Sequence, residues 1–163
     1  MQPPYNVLFL CTGNSSRSIL AEAILTHRGK PNFRAFSAGS HPAGHVNAYA
    51  LCQLQAAGLP TAGLRSKSWD EFAKLGAPRL NFVFTVCDSA AAEVCPVWPG
   101  QPMTAHWGVP DPGYTVGSDQ DIERAFRDTF VTLDRRIGLF LSLPLASLSA
   151  LALQNELGVI GRC

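Results

Sequence analysis

The chain carries little charge and almost no net charge. Only 15% of its 163 residues are charged, and 13 Lys and Arg stand against 12 Asp and Glu, a balance of +1 with neutral His. No global field draws it to nucleic acid or to an acidic membrane surface, so any anion site has to be built locally. A membrane anchor is missing too. The uncharged stretch Ile137 to Asn155 is broken by Ser142, Pro144, Ser147 and Ser149 and follows Arg135 and Arg136, so it reads as two packed helices broken at Pro144. The first six residues hold no basic segment, which excludes a secretory signal of the usual kind. The five cysteines (Cys11, Cys52, Cys87, Cys95, Cys163) are odd in number and irregular in spacing. A chain of this size has no need of disulfide staples, and the expectation is a reduced, cytoplasmic protein. Length leaves no room for a separate cofactor domain: residues 1–163 read as one catalytic domain, with 144–163 as a C-terminal helical extension.

What is present is apolar: 47% of the residues are hydrophobic, and much of the chain must be buried. Val7 to Leu10 is a short continuous run suited to a central strand covered on both faces. It ends in six small or turn-forming residues, Cys11 to Ser16, and the good helix formers of Arg17 to Leu25 follow, stopped by Gly29 and Pro31. Phe33 to Ser37 alternates like a strand, and Asn47 can cap a helix running through Ala57. Ser68 and Glu71 have capping-box spacing and predict a short helix ending near Leu75. Asn81 to Val86 is a second buried strand that delivers a cysteine, Cys87, at its carboxyl end. Residues 96–118 hold five prolines and four glycines, so they form a loop with room for a short strand at Met103 to His106. Gln120 to Leu143 shows helical spacing behind a cap at Ser118 or Asp119. Strands alternating with helices predict an α/β fold: a small parallel sheet of four strands, helices on both faces, and ligands at the strands' carboxyl ends.

The segment Cys11 to Ser18 has the make-up of an anion cradle. Amide groups of a tight loop point inward at the start of a helix, Gly13 allows a close turn, and Asn14 tolerates a left-handed backbone. Arg17 offers a planar fork to two oxygens of a tetrahedral oxyanion. The same donors stabilise a thiolate, which makes Cys11 a candidate nucleophile, with Ser15 and Ser18 as hydroxyl donors to it. The Cys-to-Arg spacing alone is weak evidence in a chain with five cysteines. Its placement between a buried strand and a helix is what gives it weight.

Val7-Leu8-Phe9-Leu10-Cys11-Thr12-Gly13-Asn14-Ser15-Ser16-Arg17-Ser18, followed by Ala21-Glu22-Ala23, resembles the signature of the low-molecular-weight protein tyrosine phosphatase superfamily, the arsenate reductase branch most of all. Phe36-Ser37-Ala38-Gly39, Thr85-Val86-Cys87, Cys95-Pro96, His106-Trp107-Gly108 and Asp111-Pro112 resemble further segments of that branch, in the same order. The resemblance spans roughly residues 6–140 and implies a flavodoxin-like three-layer sandwich. It implies oxyanion binding by Thr12, Gly13, Asn14, Ser15, Ser16, Arg17 and Ser18, nucleophilic attack by Cys11, and Asp111 as general acid. It also implies a relay in which Cys87 attacks the Cys11–arsenic adduct and Cys95 resolves the disulfide. The reductant is then thioredoxin, or glutathione with glutaredoxin. No cofactor, metal, nucleic acid or membrane enters that chemistry.

Two electrons separate the branches: arsenate reduction needs a dithiol, phosphate ester hydrolysis does not. In one straight helix Cys87 and Cys95 would stand about 12 Å apart, beyond the roughly 7 Å reach of a disulfide, so the segment must unwind to oxidise. The gap between these cysteines is seven residues, one longer than in the thioredoxin-coupled members it resembles, and this leaves the reductant open. Alternative readings are a phosphatase acting on aryl phosphates, or an oxyanion-binding thiol switch without turnover. Cys52 reads as core and Cys163 as a frayed end. His41 and His45 have a metal-ligand spacing, but Pro42 and Gly44 argue against the helix it requires. His106 and Trp107 read as packing for the loop to Asp111. The apolar tail, Leu145, Leu148, Leu151, Ala152, Leu157 and Ile160, either covers the domain or makes a homodimer contact.

Overall fold

Four strands form one parallel sheet: β1 (Tyr5–Cys11), β2 (Phe33–Gly39), β3 (Phe82–Thr85) and β4 (Met103–His106), in the order β2-β1-β3-β4. The computed structural model describes residues 2–93 and 95–163 of the chain. Five helices accompany the sheet: α1 (Arg17–Arg28), α2 (Ala48–Ala56), α3 (Asp88–Ala92), α4 (Asp119–Leu141) and α5 (Ala150–Gly161). The chain leaves β1 toward β2 on one side and returns to β3 on the other. The carboxyl ends of β1 and β3 thus meet at the point where the strand order reverses, where an open α/β sheet has its ligand crevice.

The period-2 alternation of β1 divides the core. Val7, Phe9 and Cys11 face the larger cluster with α1, α4 and α5, whereas Leu8 and Leu10 face Phe72, Leu80, Val83 and Trp98. The larger side is rich in aromatics: Phe84 stacks on Trp107 at 3.9 Å between ring centres, and Phe140 meets Phe82, Phe84 and Trp107 edge-on. Each such side chain, fully buried, contributes about 1.5–3 kcal/mol. Both faces are covered, but not both by helices as the sequence led one to expect: the buried residues of the helices join the larger cluster, and the second cover is thin, made of a 3-10 turn and loops.

Local signals behave as chemistry dictates. Asn47 caps α2 by accepting from the Tyr49 N–H, and Ser118 and Asp121 close a reciprocal capping box on α4. The uncharged stretch is two helices, α4 ending at Leu141 and α5 beginning at Ala150, and among the described residues no helix is long and apolar enough to cross a membrane.

Three expectations need correction. Ser68 opens only a 3-10 turn, Trp69–Phe72: its hydroxyl accepts from Asp70 N–H, but the Glu71 carboxylate is held by Arg65 at 2.6 and 3.0 Å and never reaches back to the cap. Cys52 is exposed, because α2 turns Ala50 and Leu54 inward instead. Cys163 does not fray at its backbone, since its carbonyl accepts from Arg136. The apolar tail covers the domain: Leu145, Leu157 and Ile160 are buried in the main core, while Leu151 is exposed.

Candidate active site

The loop between β1 and α1 is shaped by where its carbonyls go. Thr12, Gly13 and Ser15 present their oxygens outward to the N–H groups of His41, Ala43 and Asn47, each at 2.9 Å, and Ser66 adds a hydroxyl to the Gly13 oxygen. With the carbonyls engaged outside, the amides are free to face the cavity. Asn14 adopts the left-handed conformation expected of it (φ 48°), and its fully buried amide donates to Ser18 Oγ at 2.8 Å and accepts from Lys67 N–H at 2.9 Å. Gly13 has no such conformation, and a Cβ there would meet only Ser15 Oγ at 3.8 Å. The glycine that the loop requires is Gly39, where a Cβ would run into the Thr12 carbonyl. Neither Ser15 nor Ser18 bonds to the Cys11 sulfur among the described residues, because Ser18 is committed to Asn14.

Helix α1 begins beside this loop with no side-chain cap and no acidic residue in its first turn. Its positive end is therefore left for an anion. Arg17 reaches over the same space: Nη1 donates to Val109 O at 3.1 Å and Nη2 to Asp111 Oδ2 at 3.2 Å, while its buried Nε has no partner. That orphaned donor fits an oxygen of a tetrahedral oxyanion. The cavity, about 830 Å³, is lined by Cys11, Thr12, Arg17, Cys87, Asp111 and Tyr114 among others. Asp111 is fixed from its other side by Gly113 N–H to Oδ1, 2.8 Å.

Register brings the two thiols together. Leu10 pairs with Thr85, so Cys11 and Cys87 leave adjacent strand ends, both nearly fully buried. Cys87 is also the N-cap of α3: its sulfur accepts from Ala90 N–H at 3.4 Å and lies 3.6 Å from Thr12 Oγ1. Its pKa falls to about 5, chiefly through a hydrogen bond with Cys11, then through Ala90 N–H, the Thr12 hydroxyl and the Arg17 charge, against the opposing effect of burial. Cys11 is raised by the same hydrogen bond and by burial, with Arg17 and Gly13 N–H acting the other way. The pair thus holds one thiolate at neutral pH, steadied by the S–H of its neighbour.

Cys95 is not part of this cluster. It is exposed and opens on a separate cavity of about 550 Å³ behind α3, lined by Leu10, Val83, Ala90 and Trp98. The five cysteines are all free. Helix α3 ends at Ala92, well before Cys95, so less helix intervenes than a continuous run from 87 to 95 would contain; Val94 lies outside the described residues. Two contacts pin the short helix. Asp88 Oδ1 is hydrogen-bonded to His106 Nε2 at 2.7 Å, and Glu93 Oε1 accepts from Thr12 Oγ1 at 3.3 Å with His41 3.8 Å from its other oxygen. His106, expected only to pack the loop, thus ties β4 to the helix behind Cys87, while Trp107 is the buried packing residue. His41 and His45 form no cluster suited to a metal among the described residues.

Several participants escaped the sequence reading. Glu93 is the one acid between Asp88 and Cys95, a signal that was there to be noticed. Lys67 and Glu22 form a buried pair under the loop, 3.6 Å apart, with Ser37 donating to Glu22. Burial raises Glu22 and lowers Lys67, and each is partly offset by the other's charge. Nothing local in the sequence marks that pair.

Residues 6–152 match the family described as low molecular weight phosphotyrosine protein phosphatase. The chain belongs to this family. A relative from Halalkalibacterium halodurans named arsenate reductase is 31% identical over 134 residues, covering 82% of this chain and 93% of its own. Among solved structures, an arsenate reductase from Archaeoglobus fulgidus superposes with a TM-score of 0.64 at 26% identity, covering 84% of this chain and 99% of that one. A low molecular weight protein tyrosine phosphatase from T. tengcongensis gives 0.61 at 25%, covering 80% and 92%. Phosphatase and reductase thus share the family's fold. The matched family region ends at residue 152, three residues into α5, leaving most of that helix outside it.

Proposed function

We propose that the protein reduces arsenate to arsenite. The observation that carries this reading is the pair of thiols, Cys11 and Cys87, lining one cavity with Arg17. Relatives named arsenate reductase support it, with coverage of most of both chains. The Cys11 sulfur attacks arsenic while its proton rests with Cys87, an S–As bond forms, and one arsenate oxygen leaves as water on a proton from Asp111. Arg17 and the amides of residues 12–18 hold the remaining oxygens. Cys87 then gives its proton to an oxygen on the bound arsenic and attacks the Cys11 sulfur, and the S–As electron pair stays with arsenic, which leaves as As(III) behind a Cys11–Cys87 disulfide. Cys95 attacks Cys87, freeing Cys11 and moving the disulfide to the surface, where an external dithiol takes it up.

The cavity beside Cys95 is lined by apolar residues, threonines and His106 and holds no Lys or Arg among the described residues. A glutathione molecule finds no cation there for its carboxylates, so the reading favours a protein dithiol of the thioredoxin kind. We place this chain in the cytoplasm, whose thiol pool keeps cysteines such as these five reduced. A second reading, hydrolysis of aryl phosphates, is favoured by Tyr114, which is 84% exposed on the cavity rim and offers a ring to an aryl group. Cys87→Ser separates the two. Arsenate turnover with a thioredoxin system is expected to vanish while slow aryl phosphate hydrolysis persists; unchanged arsenate turnover would sink the relay.

A further inference from the structure

Arg136 on α4 is buried, 6% exposed, and spends its donors on main-chain carbonyls. Nη1 donates to Trp107 O at 2.9 Å and to Gly108 O at 3.1 Å, while Nε and Nη2 both donate to Cys163 O at 3.2 and 3.1 Å. One guanidinium therefore joins three segments: α4, the end of α5, and residues 107–108. Helix α5 is seated on the same place. Trp107 Nε1 donates to Leu157 O at 3.0 Å, and Gly161 lies so close to the His106 carbonyl that a Cβ there would collide with it.

Residues 106–108 are the root of the loop that carries Val109 and Asp111, the two groups that Arg17 grips. Behind that loop runs a cleft of about 410 Å³, lined by Val109, Pro110, Pro112, Thr129, Thr132 and Arg136. The loop is held at Val109, buried in the main core with its N–H on Val86 O at 3.1 Å, and at the buried Pro112, and Arg136 fixes the two carbonyls just before Val109. A buried cation is an expensive way to fill space, and an apolar chain of equal volume would do that better. A rigid guanidinium does something an apolar chain does not: with its Nε–Nη2 edge anchored on Cys163 O, its Nη1 fixes the direction of two successive carbonyls.

We propose that Arg136, together with α5, is a clamp that positions the Asp111 carboxyl for proton transfer, making Arg136 a positioning residue and α5 part of the catalytic framework. The proposal rests on Asp111 being the general acid. Displacing the loop root by an ångström takes the carboxyl out of hydrogen-bond reach of the departing oxygen; the amides of residues 12–17 stay in place, and Arg17, which rests on Val109 and Asp111, loses only part of its hold on arsenate.

The test is a double-mutant cycle read by single-turnover arsenite formation on the full chain, with arsenate affinity and thermal midpoint measured alongside. Asp111→Asn is expected to slow the step by about 100-fold. Arg136→Met is expected to slow it by about 10-fold, with the arsenate dissociation constant rising by less than the rate falls. In the Asp111→Asn background Arg136→Met is expected to have no further effect, and Arg136→Lys to recover part of the rate. Should Arg136→Met not fold, Gly161→Ala, which pushes α5 off the His106 carbonyl, enters the same cycle. Equal fractional losses with and without Asp111 would overturn the clamp. A silent Asp111→Asn would instead overturn the acid assignment, and the clamp with it, so the two failures are told apart by which single variant moves.

Discussion

Two sulfurs that share one proton are worth more to this chemistry than two independent thiols. In the proposed relay Cys11 is a nucleophile first and a leaving group second, and Cys87 stays reduced until arsenic is bound. A hydrogen bond between them lets the proton sit on whichever sulfur is idle. Because the Cys87 pKa is lowered to about 5, the thiolate persists at every pH above that value and is lost only as pH falls through it. Alkylation of the pair by iodoacetamide should therefore have its midpoint near pH 5, followed by mass spectrometry of the modified peptides. Hydrogen bonding to Cys11 is the largest cause of the depression, so Cys11→Ala should move the Cys87 midpoint upward toward the ordinary thiol range. A midpoint that stays put in that variant would assign the depression to Ala90 N–H and Thr12 instead. Cys11, Arg17, Cys87 and Asp111 were all legible in the sequence, because each ends a strand or sits in a loop of small residues. Lys67, Glu22 and Arg136 were not, because a buried charge is explained only by partners that the fold brings from 27 to 45 residues away.

At the scale of elements, α3 is the part built to change. Five residues make too short a helix to stand alone, and this one is held by the Cys87 sulfur at its start, Asp88 on His106 at its side and Glu93 on Thr12 just past its end. In the proposed relay, passing the disulfide to Cys95 would withdraw the sulfur cap and pull the segment toward the cavity behind it. The helix is shorter than one straight run from Cys87 to Cys95 would be, and the side-chain contacts that hold it reach across the fold. The other helices were set by local rules: Asn47 and Ser118 cap where they stand, whereas Ser68 lost its reciprocal partner to Arg65, a competition no local pattern reveals. If α3 has to unwind for the thiols to join, Ala92→Gly, at an exposed position, weakens it by up to about 1 kcal/mol. That corresponds to about 5-fold more opening. In a Cys11→Ala background, the Cys87–Cys95 disulfide should then form up to about 5-fold faster with diamide, followed by loss of free thiol; an unchanged rate would mean that the two sulfurs meet without unwinding.

For the whole molecule, the low charge that opened the question of an anion site has a structural counterpart. The oxyanion is served by one loop, one arginine and one helix end at the reversal of strand order, and the remaining surface needs no field of its own. The apolar tail is the complementary case. Composition left it as a cover or a contact with a second copy, and the structure seats it on β4, where Leu153, Leu157 and Ile160 enter the main core and Trp107 and Arg136 bond to its backbone. Its residues lie mostly outside the matched family region, so neither motif nor family likeness predicts that it is integral. Each of those three side chains contributes about 1.5–3 kcal/mol on burial. Together they approach the net stability of a whole domain, about 5–15 kcal/mol. A chain ended at Ser147 should therefore lose its cooperative thermal transition in circular dichroism, exposing Trp107 and leaving Arg136 buried without the Cys163 carbonyl. A truncated chain that melts cooperatively within about 5 °C of the full one, where 1 kcal/mol shifts the midpoint by about 2–8 °C, would show that the sheet and α1 to α4 close a sufficient core by themselves.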